Sequence, residues 1–252
     1  MRIDLHMHTM VSKDTAIPVN RITVKYMKER GLDGVAITDH DSFANAIKFS
    51  RILKREGMIG IPGEEVKTPG GGEILCFFLN EEVRPGPWQQ VIDHVHDQGG
   101  LAILAHPFDY LRGNWMEYFT MDNSKELKDL IAKIDGIEAF NARNYSTGAN
   151  HLASKVARAF QKTRTGGSDA HNLFEIGTSY TEIPIQEPTM EGLREAFKMM
   201  KLTPESREIF PNYQLPSYKL QRFLFGMQKK THSLLNRLVP PFKRWQVALH
   251  SQ

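Results

Sequence analysis

The strongest constraint on the fold is the alternation of short apolar segments with longer amphipathic ones. Seven segments have the length and composition of strands: Arg2–His6, Gly34–Thr38, Met58–Pro62, Ile74–Leu79, Leu101–Ala105, Gly136–Phe140 and Arg164–Gly167. Five helix-like segments lie among them: Asn20–Arg30, Phe43–Glu56, Trp88–Gln98, Ser124–Ile134 and Gly148–Gln161. This alternation predicts parallel strands joined by right-handed crossovers, and therefore an α/β fold.

The stretch before the fourth strand departs from that pattern. Pro69-Gly70-Gly71-Gly72 is a turn sequence, and it predicts a hairpin-like insertion ahead of the strand Ile74–Leu79. The composition changes around Pro204–Pro216, after which the chain becomes basic. We therefore predict a barrel domain at residues 1–204 and a separate extension at residues 205–252.

The extension is distinguished by its charge. Seven Lys and Arg residues and no Asp or Glu follow Phe210, although the whole chain has a net charge of only +3. Within Ser217–Leu238 the apolar residues fall on one helical stripe, which predicts a basic amphipathic helix. We expect this helix to dock on the barrel or on a second subunit. Binding to a membrane surface or to a nucleic acid is the less favoured alternative.

The same sequence limits the class of protein. Met1-Arg2-Ile3-Asp4 lacks the basic and then apolar pattern of a signal segment, and no apolar run approaches the roughly 20 residues that cross a bilayer. The single cysteine, Cys76, excludes an intramolecular disulfide and a cysteine-rich zinc site. We therefore expect a cytoplasmic protein.

Metal-binding residue types recur at the carboxyl ends of the predicted strands. They are His6 and His8 after the first strand, His40 after the second, Glu64 and Glu65 after the third, His106 after the fifth, and Asp169 and His171 after the last. Carboxyl ends of barrel strands converge on one face, so these side chains are expected to share one pocket. A lone His-x-His pair is often structural, but donors at five strand ends favour a metal site.

The donor types narrow the choice of metal. Imidazole nitrogens and carboxylate oxygens without a thiolate suit zinc, manganese or iron. There are more donors than one ion requires, which favours two or three ions that share a carboxylate. By contrast, His94, His96 and His151 fall within predicted helices, and we interpret them as surface or packing residues.

The order of these motifs resembles that of the PHP (polymerase and histidinol phosphatase) family. The motifs are Asp4-Leu5-His6-Met7-His8-Thr9, Thr38-Asp39-His40-Asp41, Gly63-Glu64-Glu65, Ala105-His106-Pro107 and Gly167-Ser168-Asp169-Ala170-His171. The resemblance runs from residue 4 to about residue 184. It implies a distorted (β/α)7 barrel that binds up to three metal ions.

The resemblance also implies a role for each donor. His6, His8 and Asp169 would hold a first ion, Glu65 would bridge it to a second ion bound by His106, and Asp14, His40 and His171 would hold a third. Glu64 is a weaker candidate than Glu65. One departure concerns the strand Gly136–Phe140, after which relatives often have a histidine and this chain has Asn141. Weak ligation by Asn141 and lower occupancy of the second site are the two alternatives.

The mechanism follows from the metals, because the sequence offers no serine or cysteine nucleophile with a supporting triad. A hydroxide that bridges two ions would attack phosphorus, with Glu65 positioning it. Arg143, in an Asn-x-Arg segment with Asn141, is the preferred phosphate-binding residue, and Arg112 is a weaker one. His40, His171 or a water bound to a metal ion would protonate the leaving group, and the sequence does not distinguish them.

Three functions remain open at this stage. The first is a phosphoesterase acting on phosphate mono- or diesters of a small metabolite or nucleotide. The second is a nuclease on short oligonucleotides, for which the basic extension would provide an electrostatic handle. Its candidate stacking residues are Phe108, Tyr110, Trp115 and Tyr145, which could equally bind a nucleobase in a small substrate. The third is a non-catalytic, metal-stabilised scaffold, against which the nearly complete donor set argues.

Overall fold

The sheet of this protein curves around a core that is built from alternate residues of its strands. The computed structural model describes residues 1–70, 72–109, 111–112, 115–120, 125–185, 189–199 and 202–206. The strands are β1 (Arg2–Asp4), β2 (Gly34–Ile37), β3 (Ile59–Lys67), β4 (Glu73–Phe77), β5 (Leu101–Leu104), β6 (Gly136–Asn141), β7 (Thr163–Gly167), β8 (Ser179–Glu182) and β9 (Thr203–Ser206).

The helices cover the outside of this sheet. They are α1 (Arg21–Glu29), α2 (Ala46–Arg55), α3 (Trp88–Asp97), α4 (Met116–Thr120), α5 (Lys125–Lys133), α6 (Thr147–Ala159) and α7 (Met190–Lys198), with a 3₁₀ turn at Leu173–Glu175. Local sequence determines where they begin: the Asn20 side chain accepts hydrogen bonds from the amides of Ile22 and Thr23 at the start of α1. Among the described residues, no helix has the length and apolar character needed to cross a membrane.

The sheet order is β7-β6-β5-β4-β3-β2-β1-β8-β9. Pairing is parallel among β1, β2 and β3 and among β5, β6 and β7, whereas β4 is antiparallel to both of its neighbours. The carboxyl ends of these six parallel strands therefore lie at one end of the barrel, which we call the mouth. Because β4 runs the other way, its first residue, Glu73, lies at the mouth.

Two kinds of contact close the barrel, one at the mouth and one farther from it. At the mouth, the amide of Asp169 donates to the carbonyl of His6 at 2.7 Å, and Met7 pairs with Ala170. Away from the mouth, the Thr181 hydroxyl of β8 accepts from the Gly166 amide at 2.8 Å and donates to the Gly166 carbonyl at 2.9 Å. We call this second contact the hydroxyl seam. A Cβ at position 166 would meet the Cβ of Pro204 at 3.0 Å, so β7 can approach β8 and β9 this closely because residue 166 is a glycine.

Strand alternation divides the core into layers. On β4, Leu75 and Phe77 face an inner layer, whereas Ile74 and Cys76 face the layer beneath the helices α3, α5 and α6. Burying each large side chain of this kind contributes about 1.5–3 kcal/mol of transfer free energy. The two layers together hold the strands at fixed positions around the mouth.

The predicted α/β barrel is confirmed, and so is the hairpin before the fourth strand. The prediction was wrong about the third strand, because β3 continues through Glu64 and Glu65 to Lys67 while paired with β4. These two glutamates therefore lie within a strand and not after it. The sequence did not predict β8, β9 or α7. The basic helix predicted at Ser217–Leu238 lies outside the described residues.

Candidate functional site

Eight predicted donors surround the mouth of the barrel, and the structure brings them into one group. We call them the mouth cluster: His6, His8, Asp14, His40, Glu65, His106, Asp169 and His171. Except for Asp14, His40 and His171, each of them is buried. Residues from positions 6 to 171 thus meet because the strand ends converge.

His6, His8 and Asp169 form the innermost part of the mouth cluster. The Nε2 atoms of His6 and His8 lie 3.1 Å apart. Asp169 Oδ1 lies 3.6 Å from His6 Nε2 and 3.3 Å from His8 Nε2. Three donor atoms at these separations form a compact set around one small volume.

Glu65 is at the centre of the mouth cluster. Its Oε1 lies 3.0 Å from His106 Nε2, and its Oε2 lies 3.0 Å from His40 Nδ1. The same Oε2 is 3.4 Å from the Nε2 atoms of both His6 and His8. Although it is buried, Oε2 has no hydrogen bond among the described residues. One carboxylate therefore faces four imidazoles.

The outer rim of the mouth cluster is formed by His40, His171 and Asp14. Asp14 Oδ2 lies 3.1 Å from His171 Nε2 and 3.7 Å from His40 Nε2. His171 Nδ1 lies 3.5 Å from Asp169 Oδ1, which links the rim to the inner part. With 57% of its side chain exposed, Asp14 is the most accessible of the eight.

These donors fit a multi-metal centre. Three groups have ligand atoms that all lie within 4.8 Å of one another: His6, His8 and Asp169; His8, His40 and His171; and His40, Glu65 and Glu73. His8 belongs to the first two groups and His40 to the last two, as expected where neighbouring metal ions have a ligand in common. Glu65 Oε2 is buried without a hydrogen bond among the described residues although three imidazoles lie within 3.4 Å of it, and such an ionised oxygen suits a cation.

Electrostatics keeps the two central carboxylates ionised, whereas the imidazoles differ: against burial, Asp169 and Glu65 raise the pKa of His6 well above its ordinary value, so a metal ion would have to displace its proton. Burial alone would raise the pKa of Glu65, but His6, His106 and His40 outweigh burial and hold it well below its ordinary value. Burial likewise opposes ionisation of Asp169, yet the Arg112 guanidinium keeps its pKa well below the usual range. Burial lowers the pKa of His8 to about 3, which leaves its imidazole neutral.

Two members of the mouth cluster have unusual backbone conformations. The φ angles of His106 and Asp169 are 23° and 56°, in the left-handed region that non-glycine residues rarely adopt. Hydrogen bonds hold both conformations: the amide of His106 donates to Glu138 Oε2 at 2.7 Å, and the amide of Asp169 donates to the carbonyl of His6. Strain of this kind is characteristic of functional sites, where the surroundings enforce it.

A buried aspartate connects the first two histidine motifs. Asp39 accepts hydrogen bonds from the Thr9 amide and hydroxyl, each at 2.6 Å, and from the Ser12 hydroxyl at 2.9 Å. The Ser12 oxygen in turn accepts from the amide of His40 at 3.0 Å. The loop after His8 is thereby fixed against the strand end that carries His40.

Sequence reasoning missed two carboxylates at the mouth, Glu73 and Glu138. Glu73 Oε2 lies 3.4 Å from His106 Nε2, and the Glu73 carbonyl accepts from the Trp115 indole at 3.0 Å. Burial and then Glu65 raise the pKa of Glu73 to about 7. The hairpin turn before β4 could have indicated the position of Glu73, because the first residue of an antiparallel strand lies where the neighbouring strands end. Glu138 lies one layer behind the donors, within 2.9 Å of His6 Nδ1.

Glu64, the weaker alternative to Glu65, faces the other side of β3. Its Oε1 accepts from the amide of Val83 at 2.9 Å, and its partner across the β3–β4 hairpin is Cys76 in the helix-facing layer. Burial raises its pKa to about 8. Side chains alternate along a strand, so adjacent glutamates have opposite surroundings.

The predicted substrate-binding residues occupy different positions around the mouth. Arg112 forms ion pairs with Asp169 and Asp109, and its guanidinium also donates to Asn141 Oδ1 and Asn144 Oδ1 at 3.3 and 3.2 Å. The Asn141 amide nitrogen donates to Asp169 Oδ2 at 3.1 Å. The backbone amide of Arg143 donates to Asn141 Oδ1 at 2.9 Å.

Two of the four proposed stacking residues are in the core. Phe108 and Trp115 are 4% and 0% exposed, so neither offers a ring face to a substrate. Tyr110 lies outside the described residues, and Tyr145 is half-buried. A more exposed ring is Phe174, at 69%, three residues after His171. The stacking interpretation of Phe108 and Trp115 was therefore wrong.

Comparison with known proteins extends this picture. Over 206 residues, the chain is 30% identical to an uncharacterised protein of Methanocaldococcus jannaschii, and the alignment covers 80% of each. Among solved structures, it matches a two-domain Bacteroides vulgatus protein containing a predicted PHP-like metal-dependent phosphoesterase, with a TM-score of 0.67 at 19% identity. That match covers 82% of this chain and 64% of the other, so this chain spans just under two thirds of that protein's length.

A second structural match is Endonuclease Q in complex with a 27-mer duplex that has an abasic lesion at the active site. The TM-score is 0.57 at 18% identity, and the match covers 79% of this chain and 56% of the other. A lesion-specific endonuclease of Pyrococcus furiosus also matches, with a TM-score of 0.52 at 19% identity over 79% and 56% of the two chains. At these identities the likeness establishes the fold alone.

Family models give the most direct assignment. The PHP domain model matches residues 4–166, and a PHP-associated model matches residues 147–202. The first match covers well over half of the chain and contains six of the eight residues of the mouth cluster. The chain therefore belongs to the PHP domain family.

Proposed function

We propose that this protein is a metal-dependent phosphoesterase that hydrolyses phosphate mono- or diesters of a small metabolite or nucleotide. The observation that carries the proposal is the set of three overlapping donor groups around the buried Glu65. A scaffold would not need a carboxylate that faces four imidazoles, with two residues beside it in strained conformations. Such an arrangement favours catalysis over the non-catalytic alternative.

We assign the donors to ions as follows. His6, His8 and Asp169 would hold a first ion, His106 and Glu73 a second, and Asp14, His40 and His171 a third, with Glu65 between the first two. Adding Glu73 supplies the ligand that the second site otherwise lacks, so Asn141 is not required as a ligand. Bound divalent ions supply Lewis acidity and lower the pKa of water toward about 7. The set of nitrogen and oxygen donors suits manganese, zinc or iron.

The remaining groups of the site would bind phosphate and handle protons. The guanidinium of Arg143 has no ion-pair partner in the described part of the chain, and its planar fork suits two phosphate oxygens. Arg112 would add positive charge next to Asp169 and keep that carboxylate ionised. At the rim, His40 and His171 both adjoin Asp14, so whichever of the two does not hold an ion could donate a proton to a leaving alkoxide that lies there.

The test is hydrolysis by the purified, manganese-loaded full chain. A phosphate monoester, a phosphodiester and a panel of phosphorylated metabolites would be compared before and after chelation. We expect turnover that is lost on chelation and restored by manganese. A metal-loaded protein that binds two or more ions and hydrolyses none of these esters would contradict the proposal and favour the scaffold.

A second candidate function, a nuclease on short oligonucleotides, is favoured by where the chain leaves the sheet. β8 is antiparallel to both β1 and β9, so β9 runs toward the mouth and ends there at Ser206. The seven Lys and Arg residues that follow Phe210 have no Asp or Glu among them, and the first of them, Lys219, is 13 residues after Ser206. Cations on an extension that the chain enters from the mouth would attract the phosphates of a polyanionic substrate.

Salt dependence separates the two candidates. A nuclease that uses the basic extension should lose affinity for a single-stranded oligonucleotide between 50 and 200 mM salt, by roughly tenfold for each two to three phosphates contacted. The double variant Lys229→Gln/Lys230→Gln of the full chain should weaken that dependence and leave KM for a small ester unchanged. An oligonucleotide KM indifferent to both salt and the double variant would exclude this role for the extension.

A further inference from the structure

Glu138 is a buried carboxylate that contacts residues of two donor-bearing strands but is not a member of any of the three donor groups. Its side chain is 1% exposed, and Oε1 lies 2.9 Å from His6 Nδ1. Its other oxygen, Oε2, accepts from the His106 amide at 2.7 Å and from the Asn141 amide nitrogen at 3.1 Å. Both carboxylate oxygens are thus engaged, and each is turned toward a different part of the mouth.

The contact with His6 determines which ring nitrogen is available. A carboxylate accepts and does not donate, so the nitrogen that faces Glu138 must carry the proton. In the neutral ring, the form that binds a metal, the unprotonated nitrogen is then Nε2, the atom that lies within 3.6 Å of His8 Nε2, Glu65 Oε2 and Asp169 Oδ1. Carboxylate, histidine and metal in this order are a common arrangement in metalloproteins, where the carboxylate fixes the tautomer and raises ligand basicity.

The contact between Glu138 and His106 fixes the backbone of His106, whereas the contact with His6 fixes a side chain. His106 has a φ of 23° and follows the end of β5, and its amide donates to the Glu138 side chain. The hydrogen bond from this amide to Glu138 compensates for the strain and holds the imidazole that approaches Glu65 at 3.0 Å. The same carboxylate therefore acts on donors from two strands, β1 and β5.

An irregularity of β6 makes this possible. The register between β6 and β7 shifts between Glu138 and Phe140, so the strand contains a bulge. In a regular strand, residues 138 and 141 would face opposite sides. The bulge turns both toward the mouth, where the Asn141 amide reaches Glu138 at 3.1 Å and Asp169 at 3.1 Å.

We propose that Glu138 is a positioning residue that fixes the Nδ1–H tautomer of His6 and the backbone of His106, and so sets the metal affinity of the site. This inference rests on the proposed metal centre. Its consequences concern binding and the state of one ring, both of which are measurable without any substrate.

The experiment compares Glu138→Ala, Glu138→Gln and wild type in the full chain. Zinc affinity would be measured by competition with a chromophoric chelator, and the ring nitrogens of His6 by ¹⁵N NMR of the diamagnetic zinc-loaded protein. For Glu138→Ala we expect zinc to bind about 10–100-fold more weakly, the range found on removing such partners, and the hydrogen-bonded Nδ1–H signal of His6 to disappear. Glu138→Gln retains one acceptor, so it should keep that signal and lose less affinity than Glu138→Ala.

Glu64→Gln is the matched control, since Glu64 is equally buried but faces the helix side of β3. It should bind zinc as wild type does. Zinc affinity within twofold of wild type in folded Glu138→Ala would overturn the proposal. Should that variant not fold, wild-type affinity in Glu138→Gln would overturn it. A wild-type chain that binds zinc but hydrolyses no ester would refute the phosphoesterase proposal and leave this inference standing, whereas failure to bind zinc at all would overturn both.

Discussion

The mouth of the barrel and the surface of α3 both contain histidines beside carboxylates, and the two regions differ in what surrounds each pair. His40 Nδ1 and Glu65 Oε2 are 3.0 Å apart at the mouth, and His96 Nε2 of α3 lies 2.9 Å from Oδ2 of Asp135, which follows α5. Glu65 is 1% exposed, whereas Asp135 is 32% and His96 37% exposed. The pKa is raised for both histidines: against the effect of burial, Glu65 raises that of His40 to about 9, and the hydrogen bond to Asp135 raises that of His96.

Neither a short distance nor a raised pKa therefore identifies a metal site in this protein. The mouth differs because several donors, most of them buried, converge there and Glu65 is shared among four rings. The His96–Asp135 pair (the α3 pair) is partly exposed to water and involves one imidazole, and such an ion pair contributes at most about 1 kcal/mol. The following predictions, from the largest effect to the smallest, test this contrast.

Replacing Glu65 by Gln should have the largest effect. The substitution keeps the shape of the side chain but removes the charge that four imidazoles face, so we expect turnover to fall about 10²–10³-fold, the scale for losing a key electrostatic group. Steady-state kinetics on the best ester would measure it, with far-ultraviolet circular dichroism to verify the fold. Glu64→Gln, the neighbour on the other face, should stay within about twofold of wild type. The reverse ranking of the two variants would assign the shared carboxylate to Glu64.

Removing a donor from the inner part of the mouth cluster should release metal. His6→Ala and Asp169→Ala each delete one of three ligand atoms that lie within 3.6 Å of one another, so both should lose most of the bound metal after dialysis, as elemental analysis would show. His96→Ala removes an imidazole from the α3 pair and should retain the full metal content. Equal retention in all three variants would mean that the mouth does not bind metal.

Glu73→Gln should have an intermediate effect. Glu73 lies 3.4 Å from His106 Nε2 and shares a donor group with His40 and Glu65, but with none of His6, His8 and Asp169, so its loss should weaken the second site and leave the first intact. We expect about tenfold weaker binding of one ion among those bound, resolved by stepwise titration with zinc. Glu81→Gln, at an exposed carboxylate that pairs with His94, is the control and should not change any step. Uniform weakening of every step would point instead to a general loss of structure.

The α3 pair should give the smallest effect, and it should depend on pH. The pKa of His96 is raised in the folded protein, chiefly by its hydrogen bond to Asp135. Its stabilisation is therefore present below the unfolded-state pKa of about 6.5 and is lost as pH rises through the folded value. His96→Gln should lower the free energy of unfolding by less than about 1 kcal/mol at pH 5.5 and by still less at pH 8.5. Urea denaturation at both pH values would measure this, and a larger loss at pH 8.5 would contradict the assignment.

The sequence predicted much of the fold because hydrophobic periodicity and turn residues act locally. The helix predicted at Trp88–Gln98 is α3, Trp88–Asp97, and that at Asn20–Arg30 is α1, Arg21–Glu29. The end of β3 was missed because Pro62 and Gly63 suggest termination, whereas long-range pairing with β4 extends the strand to Lys67. Local propensity does not contain that pairing.

The same distinction between local sequence and long-range pairing applies to the residues at the mouth. Histidines that directly follow strands, such as His6 and His106, could be placed from sequence because parallel strands end together. Glu73 was not found because its position depends on the direction of β4, and Glu138 was not found because its orientation depends on a bulge in β6. Strand direction and bulges are tertiary properties, which a pattern of apolar and polar residues does not specify.

The two closures of the barrel differ in stiffness, and this determines where the wall can open. At the mouth, backbone hydrogen bonds join the segments that carry His6 and Asp169, whereas β7 is tied to β8 at Gly166 through one rotatable hydroxyl, that of Thr181. Local opening should therefore occur along the hydroxyl seam at lower free energy than at the mouth. The Gly166 amide should exchange with deuterium sooner than that of Asp169. Opening of the wall there would leave the backbone hydrogen bonds between the segments of His6 and Asp169 intact.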